Sequence, residues 1–245
     1  MKIRSKMWSR LFVTFVALLL SASAGQAAVL YSENFNGEGT AANAYDNGTT
    51  PEVNVGNIGV LQSTGTTQGG NATDTAWKMN RVAANGADGL RFGANSDNWA
   101  TSANSAAILA DGGFAISFDQ KKISGSVSWT LVRVGSGPEN GNHTTADLGA
   151  LASFGGTMAT YDGTDGTAFT GPGGTKPDYS IEYRYEFDSW AKGTVVSFTG
   201  LIDGQVVMTD TFTWNKDDDV KIVFGVHKVG GEMDNIVVST IPEPA

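Results

Sequence analysis

The sequence predicts an all-β chain of antiparallel strands, and three observations carry that prediction. Nearly every periodic segment alternates apolar and polar residues with a period of two, the pattern of a half-buried strand. The segments Thr194 to Ile202 and Gln205 to Trp214 flank Asp203-Gly204, a pair suited to a two-residue hairpin turn. No segment beyond the N-terminal 28 residues shows the periodicity of an amphipathic helix. Glycine fills 32 of 245 positions, largely in Asn-Gly, Asp-Gly and Gly-Gly pairs that mark the turns between strands.

The N-terminal segment reads as an export signal. Lys2, Arg4, Lys6 and Arg10 form a basic region ahead of an apolar run, Leu11 to Leu20, broken only by Thr14. The small residues Ser21 to Ala28 follow, and cleavage by signal peptidase after Ala27 or Ala28 is expected. The run is short for a membrane span, which needs about 20 residues. No second run of that kind follows, so a mature chain without a membrane span is expected.

The remaining chain, residues 29–240, reads as one β-domain. Leu30 to Phe35 opens it as a strand. Residues 36–75 are rich in Gly, Asn, Thr and Ala, and only Val53, Val55, Ile58, Val60 and Leu61 offer a strand there. Phe114, Ile116 and Phe118 make one apolar face, and Val127, Trp129 and Leu131 another. Two further glycine-rich stretches, Ser136 to Thr145 and Asp162 to Lys176, read as long loops, which in a compact domain are functional or mobile. Residues 181–188 alternate most clearly: Ile181, Tyr183, Tyr185 and Phe187 face one way, and Glu182, Arg184, Glu186 and Asp188 the other. Val220, Ile222, Phe224 and Val226 form a later face, and Met233 to Ile241 closes the domain, stopped by Pro242.

Composition excludes several functions. The formal charge is −9, and the signal holds four basic and no acidic residues, which leaves 12 basic against 25 acidic residues in the mature chain. Such a surface repels nucleic acid and anionic membranes, and fits cations or neutral polymers as partners. The absence of cysteine excludes disulfides, thiolate metal sites and cysteine nucleophiles. His143 and His227 lack companion ligands at zinc spacing, and there is no nucleophile elbow or phosphate loop.

The end of the chain, Asp234-Asn235-Ile236-Val237-Val238 running into Pro242-Glu243-Pro244, resembles the bacterial PEP-CTERM family of exported surface proteins. In that family a membrane-spanning helix and a basic cluster follow the motif, and neither follows Ala245 here, so residues 241–245 read as a truncated remnant. The resemblance implies a secreted or cell-surface protein of the exopolysaccharide matrix. A second resemblance rests on Leu30 to Phe35, on Leu201-Ile202-Asp203-Gly204-Gln205-Val206-Val207, and on Met233 to Val238. Together these look like the concanavalin A-like, laminin-G-like jelly roll, a two-sheet antiparallel sandwich whose first and last strands neighbour each other. A carbohydrate-binding-module jelly roll is the rival.

Candidate sites follow from these expectations. Sugar binding uses aromatic faces beside polar groups. Trp99, in the run Asp97-Asn98-Trp99-Ala100, and Trp77, beside Lys78, are read as the more exposed tryptophans, with Trp214 and Trp190 at strand ends and Trp129 in the core. The ligand-binding candidates are therefore Trp99, Trp77, Trp214 and Asn98. By resemblance to carbohydrate-binding jelly rolls, one structural calcium ion would be shared by Glu33, Glu38 and Asp234, with Asn235 a lesser candidate. Asp162, Asp165 and Asp217 to Asp219 are secondary acids. A glycoside hydrolase needs two close carboxylates; Glu186 and Asp188 share a face, yet Trp190 stands where a third acid is expected and Arg184, between Glu182 and Glu186, reads as an ordinary cross-strand charge pair. The expectation is a non-enzymatic protein that binds a polysaccharide weakly. The alternatives are a structural matrix protein without a small ligand and, third, a glycoside hydrolase.

Overall fold

The computed structural model describes residues 26–36, 50–63, 71–73, 76–78, 88–92, 98–122, 129–135, 147–162, 167–168, 170–174, 176, 178–215, 220–227 and 231–241. Within them the strands are β1 (Val29–Glu33), β2 (Val53–Asn54), β3 (Leu61–Ser63), β4 (Asn71–Thr73), β5 (Ala76–Lys78), β6 (Asp88–Phe92), β7 (Gly113–Lys122) and β8 (Trp129–Gly135). There follow β9 (Leu148–Ser153), β10 (Met158–Tyr161), β11 (Asp178–Glu186), β12 (Val195–Ile202), β13 (Gln205–Thr213), β14 (Lys221–His227) and β15 (Gly231–Thr240). They form two antiparallel sheets packed as a jelly-roll sandwich. The first runs β13-β12-β11-β7-β15-β1-β2, with the β4–β5 pair joined to β15; the second runs β10-β9-β8-β14-β6-β3.

The strongest alternation in the sequence becomes the best-defined part of the core. On β11, Tyr179, Ile181, Tyr183 and Tyr185 are buried, while Asp178, Ser180 and Glu186 face solvent. Phe114, Ile116 and Phe118 of β7 point inward beside them, and Phe114 stacks on Tyr185 at 4.9 Å. Phe198 and Phe212 extend the layer across β12 and β13. Each fully buried aromatic ring contributes about 2–3 kcal/mol of hydrophobic stabilisation. Burial also pushes the Tyr183 and Tyr185 phenols above their usual range, so both stay neutral.

The hairpin forms where the Asp-Gly pair predicts it. Asp203 and Gly204 take φ of +50° and +76°, the left-handed pair of a type I′ turn, and β12 and β13 pair from Val195–Thr213 to Ile202–Gln205. The first and last strands lie side by side, with Val29 opposite Ser239 and Glu33 opposite Ile236.

Four local expectations need correction. The stretch Ser105–Ala110 is a short α-helix, α1, which buries only Ile108; six residues with one buried position carry too little periodicity to read. Residues 36–75 hold β2, a 3-10 turn at Val55–Asn57, β3 and β4, whose residues gain order from pairing with β1, β6 and β5. Trp129 is half-buried and packs with Leu131, Leu151, Ala159 and Tyr161 in a small cluster apart from the main core. Arg184 pairs with Glu182 of its own strand at 2.6 Å, since residues two apart on a strand share a face, rather than across to a neighbour.

Candidate functional site

The outer face of the first sheet holds an open depression of about 460 Å³. Strand register builds it. Ser180 of β11 lies opposite Asp119 of β7, which lies opposite Asp234 of β15; one step along, Asp178, Lys121 and Glu232 form a parallel row. The β12–β13 turn adds Asp203, whose carboxylate accepts the Ser180 N–H at 3.2 Å and pairs with Lys176 at 2.8 Å. Beneath the floor, Gln120 turns into the sandwich and clamps the two sheets: its amide donates to the Ser153 carbonyl at 3.0 Å and accepts the Thr130 hydroxyl at 2.6 Å. The rows therefore stand on a rigid base.

A β-bulge brings the two central carboxylates together. Between Asp234 and Val237, β15 carries one residue more than β7 opposite it, and Asn235 takes φ +50° to absorb it. The Asn235 N–H donates to Asp234 Oδ1 at 2.7 Å and its side-chain amide donates to Asp119 Oδ2 at 2.9 Å. Like charges directly opposite on a sheet repel. Partial burial raises the Asp234 carboxyl above the usual carboxylate range, the Asn235 N–H opposes that rise, and Asp119, Glu232 and Glu52 add to it. Asp203 shifts the other way, held low by the hydrogen bond from Lys176, whose ammonium is correspondingly raised.

These shifts set a pH dependence. A carboxyl whose pKa is raised by folding binds its proton more tightly in the folded state, so its contribution is fullest at low pH and is lost as pH rises through the folded value. Asp234→Asn is therefore expected to stabilise the protein at neutral pH by roughly half a kcal/mol, a small gain because solvent screens a half-exposed carboxylate. The advantage should fade on acidification. Urea unfolding at neutral and at acid pH checks it; a loss of stability at neutral pH overturns it.

The residues nominated from sequence do not converge here. Trp99 and Trp214 are fully buried and present no ring face to solvent, which corrects the expectation of exposed platforms. The Asn98 side-chain oxygen accepts the N–H groups of Ala100 and Val220, both at 3.1 Å, and Trp99 N–H donates to Val220 O at 2.8 Å, so Asn98 pins Trp99 into the core. Trp77 lies on β5, opposite Met233, with its side chain outside the described residues. Glu33 is buried on the inward side of β1, opposite Ile236, and accepts the Phe35 N–H at 2.6 Å, while Asp234 faces outward. The shared calcium site is therefore corrected for this pair, because they lie on opposite faces of one sheet. Glu38, Asp165 and Asp217 to Asp219 lie outside the described residues, and no group of three or more possible metal ligands occurs among the described ones. Glu186 and Asp188 are exposed at the end of β11. Asp119, Asp178, Asp203 and Glu232 were not nominated from the sequence; alternation places the three strand residues on outward faces, but only the strand order makes them neighbours, and the β12–β13 turn adds Asp203.

No family model and no curated protein matches the chain. Among solved structures, Trypanosoma rangeli sialidase in complex with 2,3-difluorosialic acid aligns over 90% of this chain and 32% of its own at 10% identity, with a TM-score of 0.52. The chain thus spans about a third of the length of the sialidase it matches. The Emp47p carbohydrate recognition domain aligns over 74% of this chain and 90% of its own at 10% identity and TM-score 0.42. Caenorhabditis elegans galectin LEC-6 aligns over 52% and 83% at 14% identity and TM-score 0.33. At 10% identity the likeness to the sialidase is one of fold.

Proposed function

We propose that this is an exported, non-enzymatic protein of the extracellular matrix, and that the depression on its first sheet binds a neutral polysaccharide weakly. The observation that carries the proposal is the outward row Ser180–Asp119–Asp234, beside Asp203, on a face open to solvent. Fixed carboxylates and a serine hydroxyl are the groups that accept and exchange hydrogen bonds with sugar hydroxyls. Retaining opposed acids against their own repulsion also fits a binding role better than a purely structural one. The same charge disfavours an acidic sugar, so the sialic acid derivative held by the sialidase does not carry over. Export is supported by the basic and apolar N-terminal residues, and surface sorting by Pro242-Glu243-Pro244. Against hydrolysis stands the position of Glu186 and Asp188 on an open strand end.

A structural matrix role is the second reading, and the burial of Trp99, Trp190 and Trp214 favours it by removing three stacking platforms. Retention of the exported protein on insoluble and gel-embedded neutral polysaccharides, with calcium and with chelator, separates the two. The expected result is retention that falls at least about tenfold, worth 1.4 kcal/mol, in the double variant Asp119→Asn with Asp234→Asn. Retention unchanged in that variant removes the depression as the site. No retention under any condition leaves the structural role, and release of reducing ends abolished by Glu186→Gln would establish the hydrolase.

A further inference from the structure

The sandwich protects its sheet edges unequally. Among the described residues, the first sheet ends at one side in β2, of two residues, with the three-residue β4 beside it, and the second sheet ends in β3, of three. The other end of the second sheet, β10, is covered: Met158 exchanges both backbone hydrogen bonds with Thr170, at 2.6 and 2.7 Å. The remaining edge is β13, nine residues long, with no lysine, arginine or proline and with Asp210 as its single charge. Long edges without such residues are templates for pairing with another strand.

The backbone direction on β13 can be read from its end. Gly193 N–H donates to Trp214 O at 2.8 Å, and Trp214 N–H donates to Thr194 O at 3.2 Å, so Trp214 faces β12. Alternation then points the backbone groups of Phe212 and Asp210 toward β12, and those of Thr209, Thr211 and Thr213 off the edge. Side chains intercept two of the outward groups. The Thr211 N–H donates to Asp210 Oδ1 at 2.8 Å, and the Val207 carbonyl accepts the Thr170 hydroxyl at 3.2 Å. The other Asp210 oxygen accepts the hydroxyl of Thr160 on β10, which fixes the carboxylate from the opposite sheet.

We propose that Asp210 is a latch on a competent pairing edge: it keeps β13 from joining the β13 edge of a second copy of this chain in one continuous antiparallel sheet. The occupant is a second copy because the outward run is self-complementary. A twofold axis at Thr211 sets Thr209 opposite Thr213 in both directions, threonine against threonine, a favourable cross-strand pair. Asp210 opposes this twice, by occupying the Thr211 N–H and by placing a carboxylate from each copy near the seam. Released, the pair would carry two outer depressions on one sheet, which gives a matrix protein two attachment points without a new contact. The latch itself does not depend on what the depression binds.

Light scattering after size exclusion tests it on the purified exported protein. The wild type is expected as a monomer, and Asp210→Thr is expected to double the measured mass as concentration rises. Adding Thr211→Pro, which removes the outward N–H without touching the ladder to β12, should restore the monomer. Should Asp210→Thr fail to fold, Asp210→Asn keeps the side-chain volume and an oxygen for Thr160 while removing the charge, and is read in its place. A folded variant that stays monomeric at every concentration overturns the latch, as does a dimer that survives Thr211→Pro or a wild type already dimeric through this edge.

Discussion

Gly113→Ala is expected to destabilise the fold by about 4 kcal/mol, while Gly112→Ala, one residue earlier, costs about 1 kcal/mol. Both glycines have positive φ, at +142° and +73°, but their surroundings differ. A β-carbon on Gly113 would sit 2.0 Å from the Tyr185 carbonyl oxygen and 3.0 Å from Glu186 Cα, backbone atoms of the paired strand. Those atoms cannot swing aside, so β7 and β11 must part just where Phe114 stacks on Tyr185. A β-carbon on Gly112 meets nothing within 4 Å, and its cost is conformational alone. Gly112 follows α1, and its N–H donates to the Leu109 carbonyl at 3.3 Å, the position where helices commonly end in glycine. Urea unfolding of the two variants checks the contrast. Equal midpoints would refute the close approach of β7 to β11.

Trp214→Ala should cost about 4 kcal/mol, in the range of buried aromatic truncations. The indole lies among Phe212, Phe187 and Trp190, with ring centres at 5.1, 5.3 and 5.7 Å. These rings pack together within the main core, and removing the central one leaves a cavity that rigid neighbours cannot fill. Trp99→Ala belongs to the same class, because Trp99 is equally buried. Thermal and urea unfolding decide it. A surface platform would lose glycan retention and keep its stability within about 0.5 kcal/mol, and that outcome would return both tryptophans to the ligand site.

The tryptophans also show where sequence reading stops. Trp99 sits among Asp97, Asn98 and Ala100, and those neighbours look like a solvated loop. The segment is tied to Val220, 122 residues from Asn98, whose N–H binds Asn98 and whose carbonyl accepts the Trp99 backbone N–H. No local pattern encodes a contact of that range. Trp214 is misread for a related reason: the turn after it is polar, yet its backbone still pairs with Thr194, and that pairing fixes the side chain on the inner face. Glu33 and Asp234 look like partners because β1 and β15 are neighbours, and they are. The bulge at Asn235 and the one-step alternation of strands then put the two carboxylates on opposite sides of the sheet. Burial and register are decided by pairing, which the linear pattern only constrains.

By itself the sequence determined the class of fold, the hairpin and the inward faces of β7, β11 and β14. Each of these follows from local chemistry: alternation sets a strand's two faces, and Asp-Gly supplies the left-handed pair that Asp203 and Gly204 adopt. The order of strands was decided only by the tertiary structure, and with it the site. Asp119, Asp178 and Asp234 are scattered over more than a hundred residues and meet because β7 lies between β11 and β15, and the β12–β13 turn adds Asp203. The setting of Asp210 is likewise tertiary, since its carboxylate is held by Thr160 of the opposite sheet. Alternation tells a side chain which face to take; long-range strand pairing alone tells it whom to meet.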